Sequence, residues 1–228
     1  MPKKAIVLLS GGMDSAAALY WAKNKGYRCH CLIFDYGQRH KKEIHFARAL
    51  ARAAKAACAV IPIKLPWTGG SSLLDSTLKL PAHSMTKIGK NGIPSTYVPG
   101  RNTLFLAYAI SAADALDAEA VVLGPNALDY SGYPDCRPEY YRAMRRAAQL
   151  GTKRGNNGQT IQILTPLIGL SKAQIARLGA DLRVPWERTW SCYAGGRRPC
   201  RRCDSCKLRA KGFREAGLID PLIDVNVK

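Results

Sequence analysis

Two short stretches hold residue types that can do chemistry. The first is Ser10-Gly-Gly-Met-Asp-Ser15. Its glycines let the backbone approach a ligand closely, and its serines supply hydroxyl donors. A helix opening just behind it would add free N–H groups and a positive dipole end. Leu9, Ser10, Gly11, Gly12, Met13, Asp14, Ser15 and Ala16 together form a cradle for pyrophosphate. The stretch is neither a Gly-Lys-Ser/Thr phosphate loop nor a GxGxxG turn, and a tight turn with a helix cap would look similar. Asp14 would repel phosphate unless a cation stands between them, so it points to Mg²⁺ or to a brace for the loop.

The second stretch, residues 190–207, reads WSCYAGGRRPCRRCDSCK, with Cys192, Cys200, Cys203 and Cys206 spaced C-x7-C-x2-C-x2-C. Four thiolates suit tetrahedral Zn²⁺, but C-x2-C-x2-C also occurs around iron–sulfur clusters. A reducing cytosol disfavours disulfides. An all-cysteine set leaves no open coordination position, so a structural role is expected. Arg197, Arg198, Arg201 and Arg202 would help keep the thiolates deprotonated.

These residues need elements to position them. Lys4 to Leu9 is a short apolar run ending at a glycine turn, as in a buried parallel strand. A helix over Ala16–Lys25 stops at Gly26. Strands over Arg28–Phe34 and Val60–Ile63 flank a long helix over Gln38–Ala57. Residues 65–100 are punctuated by prolines and glycines and read as a long active-site loop. A helix over Arg101–Leu116 leads to a strand over Ala120–Gly124, a loop over Pro125–Pro138 and a helix from Pro138 to Leu150. A strand over Ile161–Leu164 precedes a capping box, Ser171-Lys-Ala-Gln174, that opens a helix to about Leu178. A last helix spans Asp204–Ala216.

The alternation predicts an α/β fold: a doubly wound, Rossmann-like, mostly parallel five-stranded sheet with a small C-terminal zinc-binding appendage. Residues 1–180 form the ATP-binding part and 181–228 the cysteine segment with its helix. The chain has 228 residues and a net charge of +19, which favours anionic partners such as nucleotides, carboxylates or nucleic acid. The first apolar run is too short for a signal peptide or a membrane span, so a cytoplasmic location is the expectation.

Further blocks narrow the function. Phe34-Asp-Tyr-Gly-Gln-Arg-His40 with Glu43 follows the second strand, and Val98-Pro-Gly-Arg-Asn-Thr103 follows the long loop. Residues 124–139 read GPNALDYSGYPDCRPE, and Thr189-Trp-Ser-Cys-Tyr193 leads into the cysteines. The Ser10–Ser15 loop resembles the PP-loop of the N-type ATP pyrophosphatases. All five blocks, in this order over residues 4–222, resemble the 7-cyano-7-deazaguanine synthases of queuosine biosynthesis.

That resemblance implies a reaction of 7-carboxy-7-deazaguanine, ammonia and ATP to give the nitrile, with Mg²⁺ for ATP and zinc on the four cysteines. A carboxylate is a poor electrophile, so its oxygen must become a leaving group. Ammonia then gives the amide, and a second activation of the amide oxygen allows the nitrile to form. Each round needs the same oxygen against the same phosphorus, so one site can run both. The resemblance favours an adenylate, a homodimer, small-molecule substrates and no requirement for nucleic acid or membrane. A PP-loop enzyme that modifies tRNA or DNA directly, with an iron–sulfur cluster, is the alternative. A non-enzymatic zinc-ribbon module is a third reading, which the nucleotide loop opposes.

Roles follow on that reading. Asp14, Arg101, Asp135 and Arg137 are the catalytic candidates. Arg101 starts a helix at the edge where open α/β sheets bind ligands and suits phosphate or developing charge. Tyr36, Gln38 and His40 would line the adenine or acyl pocket. A guanine-like face offers two donors to one carboxylate, so Asp135 or Glu139 is a candidate reader, with Asp129 in the same block. Tyr130 or Tyr133 would stack on the ring, and Arg137 would hold the substrate carboxylate bidentately. Cys136 as a thioester nucleophile is the weaker reading, because ammonia needs no such help.

Overall fold

A computed structural model describes residues 2–66, 70–89 and 92–223, with the side chains of residues 130 and 131 excepted. Five strands form one wholly parallel sheet: β1 (Lys4–Leu8), β2 (Arg28–Asp35), β3 (Ala57–Pro62), β4 (Ala120–Val122) and β5 (Gln162–Leu164), in the order β3-β2-β1-β4-β5. The chain starts at the centre, winds out to β3, then returns to build β4 and β5 on the other side. The order therefore reverses between β1 and β4, where ligands bind in such sheets.

The period-two alternation of each strand feeds two cores. Ala5 and Val7 of β1 join Cys31 and Ile33 of β2 and Val122 of β4 on one face. There they pack on α1 (Met13–Asn24), α2 (Lys42–Ala53), α7 (Lys172–Asp181) and α8 (Asp204–Ala216). Ile6, Leu32 and Val121 point the other way, onto α3 (Arg101–Ala115) and α5 (Pro138–Gly151). Leu19, Leu50, Leu106 and Ile175 are fully buried; each contributes roughly 1.5–3 kcal/mol relative to exposure. Helices on both faces make the fold doubly wound, as the sequence pattern predicts. Phe213 of α8 lies in the α1/α7 core, so the C-terminal segment packs on the sheet's own helical layer.

Several boundaries differ from the expected ones. The helix expected over Gln38–Ala57 is α2, Lys42–Ala53. Its start is delayed because Gln38 closes a turn: its Oε1 accepts from Tyr36 N at 2.9 Å and its Nε2 donates to the Phe34 carbonyl at 3.0 Å. Residues 57–59 instead extend β3 alongside β2. The expected loop over 125–138 contains α4 (Ala127–Gly132), started by a capping box between Asn126 and Asp129. A 3₁₀ turn at Pro134–Cys136 follows, and a four-residue α6 (Lys153–Asn156) trails α5. The Ser171–Gln174 capping box is present, and α8 has the expected bounds. The described part of 65–100 holds no helix or strand. No helix among the described residues is long and apolar enough to cross a membrane.

Candidate active site

The loop after β1 is shaped by close approach. Gly11 has φ +87°, and a Cβ there would lie 2.4 Å from the Glu43 carbonyl oxygen. A Cβ on Gly124, just past β4, would lie 2.8 Å from the Asp14 carbonyl oxygen. Only glycine fits either place. Ser10 Oγ donates to Ser15 Oγ at 3.0 Å, and Ser15 Oγ donates to the Gly12 carbonyl at 3.1 Å. Gly12 is the N-cap of α1 and supplies no side-chain cap, which leaves the first-turn N–H groups for a ligand. Leu9, Ser10, Gly12, Met13, Asp14 and Ser15 line a cavity of about 330 Å³ at the reversal point of the sheet. These residues fit a nucleotide's phosphates.

A charged cluster from three loops forms one wall. Lys172, in the first turn of α7, donates to Asp14 Oδ2 at 2.5 Å. Asn126 Nδ2 reaches Asp14 Oδ2 at 3.5 Å and Asp129 Oδ2 at 2.6 Å. Asp14 Oδ1 is buried with no hydrogen-bond partner among the described residues. Burial pushes the Asp129 carboxyl up; Lys172 pulls it down and Asp14 adds to the rise, leaving it at about 6. Burial opposes the Lys172 charge, but the carboxylates of Asp14 and Asp129 outweigh it and raise its pKa. Two carboxylates thus share one ammonium, and the unmatched Asp14 oxygen suits a cation.

Another part of the lining is aromatic. Phe34 stacks on Phe105 with centroids 4.0 Å apart. Arg101 lies over the Tyr36 ring at 5.6 Å and donates to its hydroxyl at 3.3 Å. Burial works against the Arg101 charge, but Tyr36, Tyr133 and Asp135 outweigh it and keep the guanidinium protonated. The Tyr133 hydroxyl sits 2.6 Å from Thr96 Oγ1, which ties the long loop to the segment after β4.

The cavity gathers Asp14, Tyr36, Arg101, Asp129 and Tyr133 from the predicted residues, together with His40 and Glu43. It does not gather all of them. Ala16 is packed in the core under the loop, and Gly11 is turned against α2. The Gln38 side chain is engaged by Tyr36, Phe34 and Glu43. Asp135 Oδ2 accepts from Asn102 N at 3.2 Å and so caps α3, while its Oδ1 is buried with no hydrogen-bond partner among the described residues. Arg137 and Glu139 are exposed, because α5 starts at Pro138 and turns Tyr141 and Ala148 inward instead. Tyr130 lies outside the residues whose side chains are described. Cys136 lines the cavity, but burial pushes its thiol up to about 12, so it is no ready nucleophile.

Lys172 was not expected among the site residues. The signal was present, since the capping box puts it in the first turn of the helix after β5, on the ligand-binding edge. Trp190, Ser191 and Tyr193 also line the cavity. They arrive there because Trp190 N donates to the Gly11 carbonyl at 2.8 Å.

Beyond Trp190 lie the four cysteines. Their Sγ atoms all lie within 4.8 Å of one another. A single tetrahedral ion with bonds of about 2.3 Å sets thiolates roughly 3.8 Å apart. An iron–sulfur cluster, with each thiolate on a different iron, spreads them further. The set is thus compatible with one metal ion. Cys200 N donates to Cys192 Sγ at 3.2 Å, Cys203 N to Cys200 Sγ at 3.3 Å, and the Trp190 indole N–H to the Cys192 carbonyl at 2.9 Å. The sulfur site and the nucleotide loop are therefore joined through one residue, Trp190.

Comparison with known proteins agrees over nearly the whole chain. The family model described as "Queuosine biosynthesis protein QueC" matches residues 4–217. A 7-cyano-7-deazaguanine synthase of Thermosynechococcus vestitus is 52% identical over 221 residues, 96% of this chain and 95% of the relative. One of Nostoc punctiforme is 52% identical over 222 residues, covering 96% and 99%. One of Thermoplasma volcanium is 49% identical over 222 residues, covering 97% and 91%.

Proposed function

The chain belongs to the QueC family of queuosine biosynthesis, and from that premise we propose the reaction and the residues that carry it. Its relatives bear the name 7-cyano-7-deazaguanine synthase, and synthesis of that nitrile is the function of this chain. The proposed substrates are 7-carboxy-7-deazaguanine, ammonia and ATP, which makes the enzyme a carbon–nitrogen ligase. ATP supplies the phosphorus that turns first the acid oxygen and then the amide oxygen into a leaving group, as AMP.

The observation that carries this reading is the Asp14–Lys172–Asp129 cluster, set against the uncapped start of α1 in one cavity. The loop residues would hold the phosphates. The unpartnered Asp14 Oδ1 and the neighbouring Asp129 suit Mg²⁺, a hard cation that takes oxygen ligands. Lys172 and Arg101 are placed to offset charge that develops on the transferred group. Tyr133 offers a face for the deazaguanine ring.

Zinc is the proposed occupant of the four cysteines, in a closed structural site. The family likeness supports a homodimer acting in the cytoplasm on small molecules. Direct modification of tRNA is not favoured by these relatives.

Incubation with 7-carboxy-7-deazaguanine, ammonium and Mg-ATP, followed by mass spectrometry, tests the proposal. The acid should disappear, an amide should form transiently, and the nitrile should accumulate with AMP. An unchanged acid would refute the reaction, and ADP would refute the adenylate. Colourless protein with one zinc per chain is expected; a brown protein would refute zinc.

A further inference from the structure

The synthesis has a proton problem that phosphate chemistry does not solve. As the ammonia lone pair attacks the activated carbon, a C–N bond forms and the nitrogen becomes cationic. It must lose one proton as the C–O bond to the activated oxygen breaks. In the second round the amide nitrogen must lose both remaining protons before C≡N is complete. An acceptor is therefore needed beside the reacting nitrogen in each round.

His40 is built for that task. It lines the cavity yet is only 6% exposed. Its Nε2 lies 3.1 Å from Glu43 Oε2. A carboxylate there accepts the Nε2 proton, so the other nitrogen, Nδ1, carries the free lone pair. Nδ1 is buried and has no hydrogen-bond partner among the described residues. Glu43 is itself fixed: Gln38 Nε2 donates to its Oε1 at 3.1 Å, and Gln38 is held by Tyr36 and Phe34.

The packing around the pair is close. A Cβ on Gly195 would come within 2.9 Å of His40 Cβ. The Tyr193 ring is centred 6.1 Å from the imidazole. The Glu43 carbonyl lies against Gly11 of the nucleotide loop, so the pair stands beside the phosphate cradle. A base oriented by a third group inside a ligand cavity has the arrangement of a general base.

We propose that His40, oriented by Glu43, is the general base that takes protons from the attacking and then the amide nitrogen. The proposal rests on the reaction assigned above. Nδ1 accepts one proton in each transfer and releases it to solvent before the next.

His40→Gln keeps an N–H for Glu43 and removes the basic nitrogen. With ammonium as the nitrogen source, nitrile formation should fall about 10²–10³-fold while the melting temperature holds. Hydroxylamine is a stronger nucleophile, and its much less basic nitrogen makes the cationic adduct acidic enough to lose its proton to water without a base beside it. Supplied in place of ammonium, it should give the hydroxamate at near the wild-type rate in the variant. Glu43→Gln should show the same pattern with a smaller loss. Equal loss with both nucleophiles would mean that His40 serves activation or folding, and would overturn the proposal. So would nitrile formation at the wild-type rate. Wild-type protein that forms hydroxamate but no nitrile would sink the assigned reaction and leave proton removal during amide formation open to the same comparison.

Discussion

Two ion pairs in this molecule look alike in composition and differ in burial and completeness. Arg209 and Asp220, 2% and 0% exposed, join α8 to the segment behind it. Arg209 Nε and Nη2 meet the two oxygens of Asp220 at 2.7 and 2.9 Å, a bidentate pair. Its remaining donors reach Thr189 Oγ1 at 2.7 Å, Ser191 Oγ at 3.4 Å and the Trp186 carbonyl at 3.3 Å. Asp220 Oδ1 also accepts from Leu222 N at 3.0 Å. Lys172 and Asp14 form the other pair. There one carboxylate oxygen has no partner and a second carboxylate, Asp129, stands by with a raised pKa. The first pair is closed and holds the chain. The second is left incomplete where a ligand's cation and phosphates would complete it.

The comparison predicts opposite consequences for the two cations. Lys172→Ala should lower kcat/KM by about 10²–10³-fold, with a melting temperature close to wild type. Losing its ammonium leaves two carboxylates beside the loop, and loop and cavity water can screen them. Arg209→Ala should cost about 3–5 kcal/mol, because it takes the bidentate guanidinium away from a fully buried carboxylate. For a chain of this size that lowers the melting temperature by roughly 6–20 °C. Calorimetry and steady-state kinetics on both variants decide it. A large melting loss in the lysine variant, or none in the arginine variant, would break the distinction.

The same contrast governs how much could be read from the sequence. The strand–helix alternation, the nucleotide loop and the cysteine set follow from local pattern: apolar period, glycine placement and spacing. Tyr133 and Arg101 also lie in short blocks that end at the right edge of the sheet. Lys172 was hidden because its chemistry depends on Asp14, which lies 158 residues away in the chain. Arg137 and Glu139 illustrate the converse. Their types suit the substrate, but Pro138 fixes where α5 begins and so turns them outward. Asp135 has a suitable charge and spends one oxygen on capping α3, a long-range contact that its sequence position does not announce. The fold of Trp190 back onto Gly11 likewise rests on a long-range backbone bond that no periodicity announces.

The smallest predicted effect is the sharpest test of incompleteness, because it moves activity and stability in opposite directions. Burial holds the Asp129 carboxyl at about 6 in the folded chain, above the ordinary carboxylate range. A carboxyl whose folded pKa is raised holds its proton more tightly in the folded state than in the unfolded state. The associated stability is present below the unfolded value and is lost as pH rises through about 6. Removing the charge with Asp129→Asn should therefore raise the melting temperature at pH 7 relative to wild type, and less so at pH 4. The asparagine oxygen can still accept from Asn126, so the cap of α4 is retained. Activity should respond the other way. Wild-type kcat/KM for Mg-ATP should fall as pH drops through about 6, because protonation removes a charge that suits the cation. The variant should run about tenfold lower at pH 7, one pKa unit's worth of interaction, and should lack that acid limb. Since Asp129 and Asp14 interact, the limb belongs to the pair rather than to one carboxyl. A variant that loses stability at pH 7, or keeps the limb, would show that Asp129 is a satisfied structural residue like Asp220.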